Sequence, residues 1–173
     1  MFCEAGEMGE RADVSWRVLP VVYDEAALRL EEAIDELKPE VVIALGICDE
    51  PCYRIERVAH NLDDTEVPDN RAEVRRSLRI IEDGPDCYEA PYSHVELARR
   101  LEEKGLPWRF SDSAGGFLCN HVFYHLCRLA ASPRRAVHAA TFLHVPPLAE
   151  GDELGGLIEA IGCAVDAALD SVS

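Results

Sequence analysis

Short apolar runs alternate with amphipathic stretches along this chain, and that alternation constrains its fold more than any other feature. The run EVVIALG at 40–46 is continuously apolar and ends in glycine, which is typical of a parallel strand covered on both faces. The stretch at 24–38 carries Leu30, Ile34 and Leu37 at helical spacing, so it predicts an amphipathic helix. The pattern therefore predicts an α/β protein, a three-layer α/β/α sandwich around a mostly parallel, twisted sheet.

The remaining elements follow the same alternation. Asp24 and Ser93 stand where two helices are expected to begin, and each is predicted to cap its helix, with Glu96 completing a capping box. Neither a repeat nor a linker interrupts the chain, so we expect one domain over 1–173 with an atypical N-terminal segment at 1–14. Further strands are predicted at 16–23, 54–62, near 78–81, at 107–111 and at 136–146, and further helices at 93–105, from the FLCNHVFYHL stretch to about 131, and at about 152–171.

The charge of the chain argues against several classes of function. A formal net charge of −16 disfavours nucleic acid and anionic membranes as partners, because clustered Lys and Arg hold a phosphate backbone. No apolar run approaches the length of a membrane span and no secretory signal is recognisable, so a cytoplasmic location is expected. The seven cysteines are then expected to be reduced, and the Cys48-xxx-Cys52 pair lacks the second pair of a zinc ribbon.

Three residues near predicted strand ends have the chemistry of a nucleophilic site. Cys119 lies near the start of a helix, after an Ala-Gly-Gly turn, where the helix dipole is expected to lower the pKa of the thiol. His144 ends an apolar strand, from which it could take the thiol proton and later protonate a leaving group. Glu56 could hold that imidazole in one tautomer. Ligands of such sheets bind at the carboxyl ends of strands, so the ends of 54–62, 107–111 and 136–144 are expected to meet there.

Each of these residues also has a structural interpretation. A cysteine in an apolar helix is more often a small core residue than a nucleophile, and an intracellular cysteine with a distant histidine is only a candidate pattern. His121 and His125 form an i, i+4 pair of possible metal ligands, but no third ligand stands beside them, so no metal is expected. A glycine-rich phosphate loop of the GxGxxG or GxxxxGK type is also lacking, so nucleotide binding is not expected.

The candidate residues lie in three sequence blocks, which read IERVAHNLDDTEVPDN, SAGGFLCNHVFYHL and FLHVP. In this order the blocks resemble the signatures of the pyroglutamyl-peptidase I (pyrrolidone carboxyl peptidase) family of cytosolic cysteine peptidases. The resemblance implies a twisted α/β sandwich that removes N-terminal pyroglutamate from peptides by acyl transfer. It maps the family triad onto Glu56, Cys119 and His144. It also implies peptides with a blocked N-terminus as partners, no metal or organic cofactor, and a homodimer or homotetramer.

Two segments depart from the family pattern. The family opens with a strand and a GFEPFGG-type loop that walls the pyroglutamyl pocket, whereas MFCEAGEMGERAD contains nothing similar. Where the family has a GQAGGR-like turn beside the substrate, this chain has an acidic loop that begins at Ile47 and includes Asp49 and Glu50. Two alternatives follow from these changes. One is a family-like hydrolase with an altered acyl substrate, and the other is a catalytically inactive structural or binding homologue.

Overall fold

The centre of the protein is a four-stranded sheet, in a computed structural model that describes residues 13–147 and 154–172. Most of the predicted atypical N-terminal segment therefore lies outside the described residues. The elements in chain order are α1 Tyr23–Leu37, β1 Val41–Ile47, β2 Tyr53–Glu56, β3 Val58–His60, β4 Cys87–Glu89, α2 His94–Glu103, β5 Trp108–Ser111, α3 Leu118–Ala130, β6 Ala139–Val145 and α4 Gly155–Val172.

The strand order of the central sheet is β1-β6-β2-β5. β1 pairs in parallel with β6 and β2 pairs in parallel with β5, while β2 and β6 run antiparallel. The predicted mostly parallel sheet is therefore confirmed, with one antiparallel junction at its middle. The short strands β3 and β4 form a separate antiparallel pair beside α3.

Helices cover both faces of the central sheet, as the three-layer prediction requires. α1 and α3 pack on one face through an apolar cluster that includes Leu30, Leu126 and Phe142. α2 and α4 pack on the other face, where Leu97 and Leu143 belong to a second cluster. Phe142 and Leu143 are consecutive in β6 and point into opposite clusters, because side chains alternate along a strand. None of the described helices is long and apolar enough to cross a membrane.

The predicted strand at 16–23 is wrong. Residues 13–20 have no regular secondary structure, and α1 already begins at Tyr23. The β-branched composition favoured a strand, but the polar groups of this segment bond to a distant loop instead. Asn70 N donates to Val21 O over 2.9 Å, and Asp69 Oδ2 accepts from Tyr23 N over 3.3 Å.

Other sequence expectations about caps and short strands also need correction. The predicted side-chain caps are wrong: neither the start of α1 nor Ser93 at the start of α2 has a side-chain cap bond, and Asp24 pairs with Arg75. The predicted strand at 54–62 is divided at Arg57, whose two sides belong to different sheets. The segment near 78–81 forms only an isolated bridge from Leu78 to Asp63. The other predicted helices and strands are confirmed to within a few residues, although residues 152 and 153 of the last helix lie outside the described part.

Candidate active site

The three candidate residues come from three elements that meet on one face of the sheet. β2 and β6 overlap by only three residue pairs, with Arg54 opposite His144 and Glu56 opposite Phe142. Because the overlap is so short, the carboxyl ends of these two strands lie close together although the strands run in opposite directions. Alternate residues share a face, so the side chains of all four project toward α3, which carries Cys119 as its second residue.

A buried hydrogen bond joins the candidate carboxylate to the candidate base. His144 Nδ1 lies 2.8 Å from Glu56 Oε1, and the Glu56 side chain is fully buried. A carboxylate accepts hydrogen bonds, so Nδ1 carries the proton that it donates to Glu56. This bond leaves Nε2 as the nitrogen that can accept a proton from a nucleophile.

The candidate nucleophile lies next to the strand position that pairs with the same histidine. Gly46 is the partner of His144 across the β1–β6 ladder. A Cβ added at Gly46 would lie 3.0 Å from Cys119 Sγ and 2.9 Å from Phe142 Cζ. The Phe142 ring is in turn 4.9 Å from the His144 ring, measured between centroids. The sulfur, the phenyl ring and the imidazole therefore gather around a strand position that only glycine leaves open.

The electrostatic environment of Cys119 differs from the sequence expectation. Burial raises the pKa of the Cys119 thiol to about 11, the charge of Glu56 adds to this effect, and Arg54 opposes it. The expected lowering by the helix N-terminus is wrong, because the desolvation of a buried thiolate outweighs the partial charge of the helix. The Cys119 thiol is therefore neutral near pH 7.

Hydrogen bonds to backbone groups hold the start of α3 in place. Asn120 is fully buried, and its Nδ2 donates to His60 O and Leu62 O over 2.8 Å each. Asp64 N donates to Gly116 O over 2.9 Å, and a Cβ at Gly116 would lie 2.1 Å from Asp64 O. These contacts fix the loop before the helix against the segment after β3. The first N–H groups of α3, which have no acceptor four residues earlier, are thereby held close to Cys119.

Sequence reasoning missed Arg54, which lies inside the site. Its Nη2 is 2.9 Å from Glu56 Oε1, 2.8 Å from Ser113 O and 3.2 Å from Ser111 Oγ. The available signal was its position two residues before Glu56, since that spacing puts both side chains on one face of a strand.

The acidic loop between β1 and β2 is also tied to this region. Glu50 forms a two-pronged ion pair with Arg109, at 2.6 Å and 2.7 Å, and its Oε1 lies 3.4 Å from Arg54. The hydrogen bonds from Arg109 lower the pKa of Glu50. The Glu50 carboxylate is therefore ionised and is held by the guanidinium groups of Arg54 and Arg109. Arg54 in turn contacts Glu56 and Ser111.

The two histidines of α3, His121 and His125, lie apart from the candidate triad and pack against each other. His121 Nδ1 lies 2.9 Å from Asp63 Oδ2, and the His121 ring stacks at a tilt on His125 with centroids 4.8 Å apart. Over residues 13–147 and 154–172, no group of three or more His, Cys, Asp or Glu side chains is placed to hold a metal ion.

Comparisons with known proteins agree with this architecture. The family model described as pyroglutamyl peptidase matches residues 4–155. A pyrrolidone-carboxylate peptidase of Bacillus cytotoxicus is 36% identical over 133 residues, which is 76% of this chain and 61% of that protein. The corresponding protein of Enterobacter sp. (strain 638) is 38% identical over 135 residues, 78% of this chain and 62% of its own length.

Solved structures of the same kind of enzyme superpose closely. A mutant pyrrolidone carboxyl peptidase of Pyrococcus furiosus has a TM-score of 0.86 and 29% identity, covering 91% of this chain and 82% of that one. Pyroglutamyl peptidase I of Bacillus amyloliquefaciens has a TM-score of 0.81 and 26% identity, covering 87% and 75%. The aligned region spans between 61% and 66% of the length of the first curated relatives. On the family model and these identities, the chain belongs to the pyroglutamyl peptidase family.

Proposed function

We propose that this protein is a cysteine peptidase that removes N-terminal pyroglutamate from peptides, with Cys119 as nucleophile, His144 as base and acid, and Glu56 as the group that orients His144. One observation carries the proposal. The buried Glu56–His144 hydrogen bond lies on the sheet face where the sulfur of Cys119 packs beside Gly46, the ladder partner of His144. A nucleophile, a base and an orienting carboxylate in that arrangement are the parts of an acyl-transfer site.

The first half of the reaction forms a thioester. Cys119 Sγ attacks the carbonyl carbon of the pyroglutamyl residue while the thiol proton passes to His144 Nε2. Proton transfer during attack agrees with the raised pKa of the thiol, which makes a resting thiolate unfavourable. The negative charge that develops on the carbonyl oxygen would be stabilised by the backbone N–H groups at the start of α3. The C–N bond then breaks as the imidazolium gives its proton to the departing amine.

The second half clears the enzyme. Water attacks the thioester carbon, with His144 accepting a proton from the water and returning it to the sulfur as the C–S bond breaks. Free pyroglutamate leaves, and the Glu56–His144 pair is restored. Apart from the peptide substrate itself, the proposed steps use only groups of the protein and water. A cytoplasmic location and assembly as a homodimer or homotetramer stay predictions from the family, and light scattering would measure the assembly.

A second candidate function is hydrolysis of a different N-acyl group. It is favoured by the carboxylate of Glu50, which Arg54 and Arg109 hold beside the candidate triad where the family has a glycine-rich turn. The charges of this ion-pair network nearly cancel, but a charged network in place of a glycine-rich turn would change which acyl groups the site accepts.

The decisive experiment measures release of a fluorescent amine from a pyroglutamyl amide. The wild-type protein should release the amine, and iodoacetamide should abolish that activity. Cys119→Ser should lower the rate by at least about 10³-fold while the protein stays folded, because a hydroxyl is a far weaker nucleophile than a thiol. Glu56→Gln should lower it less than loss of the nucleophile does, because an orienting group contributes less.

The exposed Cys87 provides a matched control for the thiol. Cys87→Ser should keep both the wild-type rate and the sensitivity to iodoacetamide, since this side chain lies on the exposed strand β4. A Cys119→Ser variant that retains most activity would show that the nucleophile is assigned wrongly. An inactive wild type that hydrolyses amides with another N-acyl group, in a Cys119-dependent way, would favour the second candidate.

A further inference from the structure

We propose that Arg54 is a positioning residue of the catalytic centre, which keeps His144 in its neutral, proton-accepting form by offsetting the charge of Glu56. The inference rests on the proposed function, because it assigns a role within the same site. Arg54 lies outside the proposed triad of Cys119, His144 and Glu56.

The contacts of Arg54 place its charge on the carboxylate that serves His144. Arg54 Nη2 and His144 Nδ1 both bond to Glu56 Oε1, at 2.9 Å and 2.8 Å. The same nitrogen of Arg54 lies within hydrogen-bond distance of Ser113 O and Ser111 Oγ, so the guanidinium is anchored as well as paired. Only 17% of the Arg54 side chain is exposed, so water screens this pair weakly.

Two electrostatic effects of Arg54 act on His144 with the same sign. The guanidinium weakens the attraction of Glu56 for an imidazolium, because it already partly neutralises that carboxylate. Arg54 is also the cross-strand partner of His144, on the same face, so its positive charge directly opposes a second positive charge there. Both effects favour neutral His144, which is the form that accepts the thiol proton. They also make the imidazolium a better acid toward the leaving amine.

The surrounding charges leave this role to Arg54. Cys119 on α3 and Cys48 after β1 are the neighbouring thiols of the site, and neither carries a positive charge. Arg109 on β5 also feels the field of Glu56, but its guanidinium is engaged by both oxygens of Glu50. Among the described residues, the acidic groups paired with Arg54 are Glu56 itself and Glu50, whose charge acts against that of Arg54.

The experiment follows the ring of His144 by NMR as a function of pH, in protein labelled at histidine. The signal is assigned by its loss in His144→Ala. Arg54→Gln should move the titration midpoint of His144 upward by about one pH unit, the usual effect of removing one charge at this distance. The acid limb of the kcat/KM profile on the pyroglutamyl amide should move upward by the same amount. Arg54→Lys, which keeps the charge, should restore most of both values.

Arg57→Gln is the matched control, because it removes an equal charge from the same segment. Arg57 pairs with Asp112 through two hydrogen bonds and its side chain is 42% exposed, so its loss should leave the His144 midpoint in place. An unchanged or lower midpoint in Arg54→Gln would overturn the proposal, as would an equal shift in Arg57→Gln. Failure of Arg54→Lys to restore the midpoint would also overturn it, since the role would then not be one of charge.

Two further arrangements keep the test decisive. Should Arg54→Gln not fold, because Glu56 is left as a buried, uncompensated charge, the double variant Glu56→Gln/Arg54→Gln is compared with Glu56→Gln alone. The direct repulsion between Arg54 and His144 then remains, and the midpoint should still rise, by about half a pH unit; no rise would overturn the proposal. The NMR readout needs no substrate, so an inactive wild type would disprove the proposed function without deciding the role of Arg54.

Discussion

Two histidine–carboxylate pairs of nearly the same local build lie in the described part of the chain. His144 Nδ1 lies 2.8 Å from Glu56, and His121 Nδ1 lies 2.9 Å from Asp63. Both carboxylates are fully buried. Each carboxylate also contacts an arginine, and one oxygen of each has no hydrogen-bond partner among the described residues; the arginines are Arg54 and Arg75.

The pairs differ in what the rest of the imidazole faces. His144 stands at a strand end, on the face where the sulfur of Cys119 packs beside Gly46. His121 lies within α3, with its ring edge-on to Tyr23, and its Nε2 is buried without a hydrogen-bond partner among the described residues. A histidine–carboxylate bond alone therefore does not define a proton relay. The group beside the second nitrogen decides whether the pair does chemistry or supports the core.

The largest expected difference separates the two histidines directly. His144→Ala should lower kcat/KM by at least about 10³-fold while the protein stays folded, because the base is lost and Glu56 keeps its bond to Arg54. His121→Ala should instead lower the free energy of unfolding by about 3 kcal/mol, through a cavity and a carboxylate that loses a partner. Steady-state kinetics and urea denaturation of both variants measure the two effects.

A loss of rate in His121→Ala, together with a loss of stability alone in His144→Ala, would contradict the different roles given to the two pairs. The rate of His121→Ala is therefore expressed per folded molecule, at a temperature where the variant is fully native. A loss of turnover in that variant as large as in His144→Ala would mean that the core pair also takes part in the reaction.

A smaller effect is expected from closing the space beside the sulfur. Gly46→Ala places a methyl group against Cys119 Sγ and Phe142 Cζ, so the nucleophile or the ring must shift. We expect kcat/KM to fall by roughly 10- to 100-fold, the range for misplacing a reacting group by up to about 1 Å. Unfolding should become easier by about 1–3 kcal/mol because the position is overpacked.

Gly162→Ala serves as the control for Gly46. Gly162 lies within α4, and an added Cβ would meet no described atom within 4 Å beyond its chain neighbours and the backbone of its own helix. Alanine there should raise the free energy of unfolding by roughly 0.5–1 kcal/mol through helix propensity and leave the rate unchanged. Equal rates for Gly46→Ala and the wild type would contradict the close packing of the sulfur against β1.

The smallest expected effect is the contribution of His125, the neighbour of His121 in α3, to the pH dependence of the free energy of unfolding. Burial, followed by the charges of His121 and Arg128, lowers the pKa of His125 to about 4. In the unfolded chain a histidine titrates near 6.5, so between about pH 6.5 and 4 the unfolded state binds a proton that the native state does not. Stability is therefore full above this window and falls as the pH decreases through it, by about 2 kcal/mol from this residue after allowance for its partial exposure.

Substitution of His125 tests this assignment. His125→Gln should flatten the decline of the free energy of unfolding between pH 6.5 and 4, measured by urea denaturation at several pH values. The acid limb of the rate profile should stay in place, because under the proposed function that limb reports His144. A decline as steep as in the wild type would rule out His125 as a source of the acid sensitivity.

Local spacing predicted the elements that carry the site. The runs at 40–46 and 136–146 and the helix after the Ala-Gly-Gly turn are found nearly where the pattern puts them. The failed predictions at 16–23 and at the start of α1 share one cause, which is that residues distant in the sequence take the backbone hydrogen bonds. The segment at 16–23 has strand composition, but its backbone bonds to Asn70 and Asp69 rather than to a strand, and Asp69 replaces Asp24 as the acceptor at the start of α1.

The residues of the site also divide into those that the local sequence identifies and those that only the fold identifies. The residue types Cys119, His144 and Glu56 stood out because of their positions at predicted element ends, and the family blocks contain all three. Arg54 and Gly46 did not stand out, because one resembles any charged strand residue and the other any strand-end glycine. Their importance depends on a sulfur and a carboxylate brought in from other elements.

The sequence by itself determined the α/β class, the positions of most elements and the family, because hydrophobic periodicity and block order are properties of neighbouring residues. Only the folded structure places His144 across the ladder from the glycine beside the sulfur, buries the thiol, and makes Arg54 share the carboxylate of Glu56. The bond between Glu56 and His144 joins residues 88 positions apart, and the bond at the start of α1 joins residues 46 positions apart. Such contacts depend on how the layers pack, and packing is the result of the whole chain acting together.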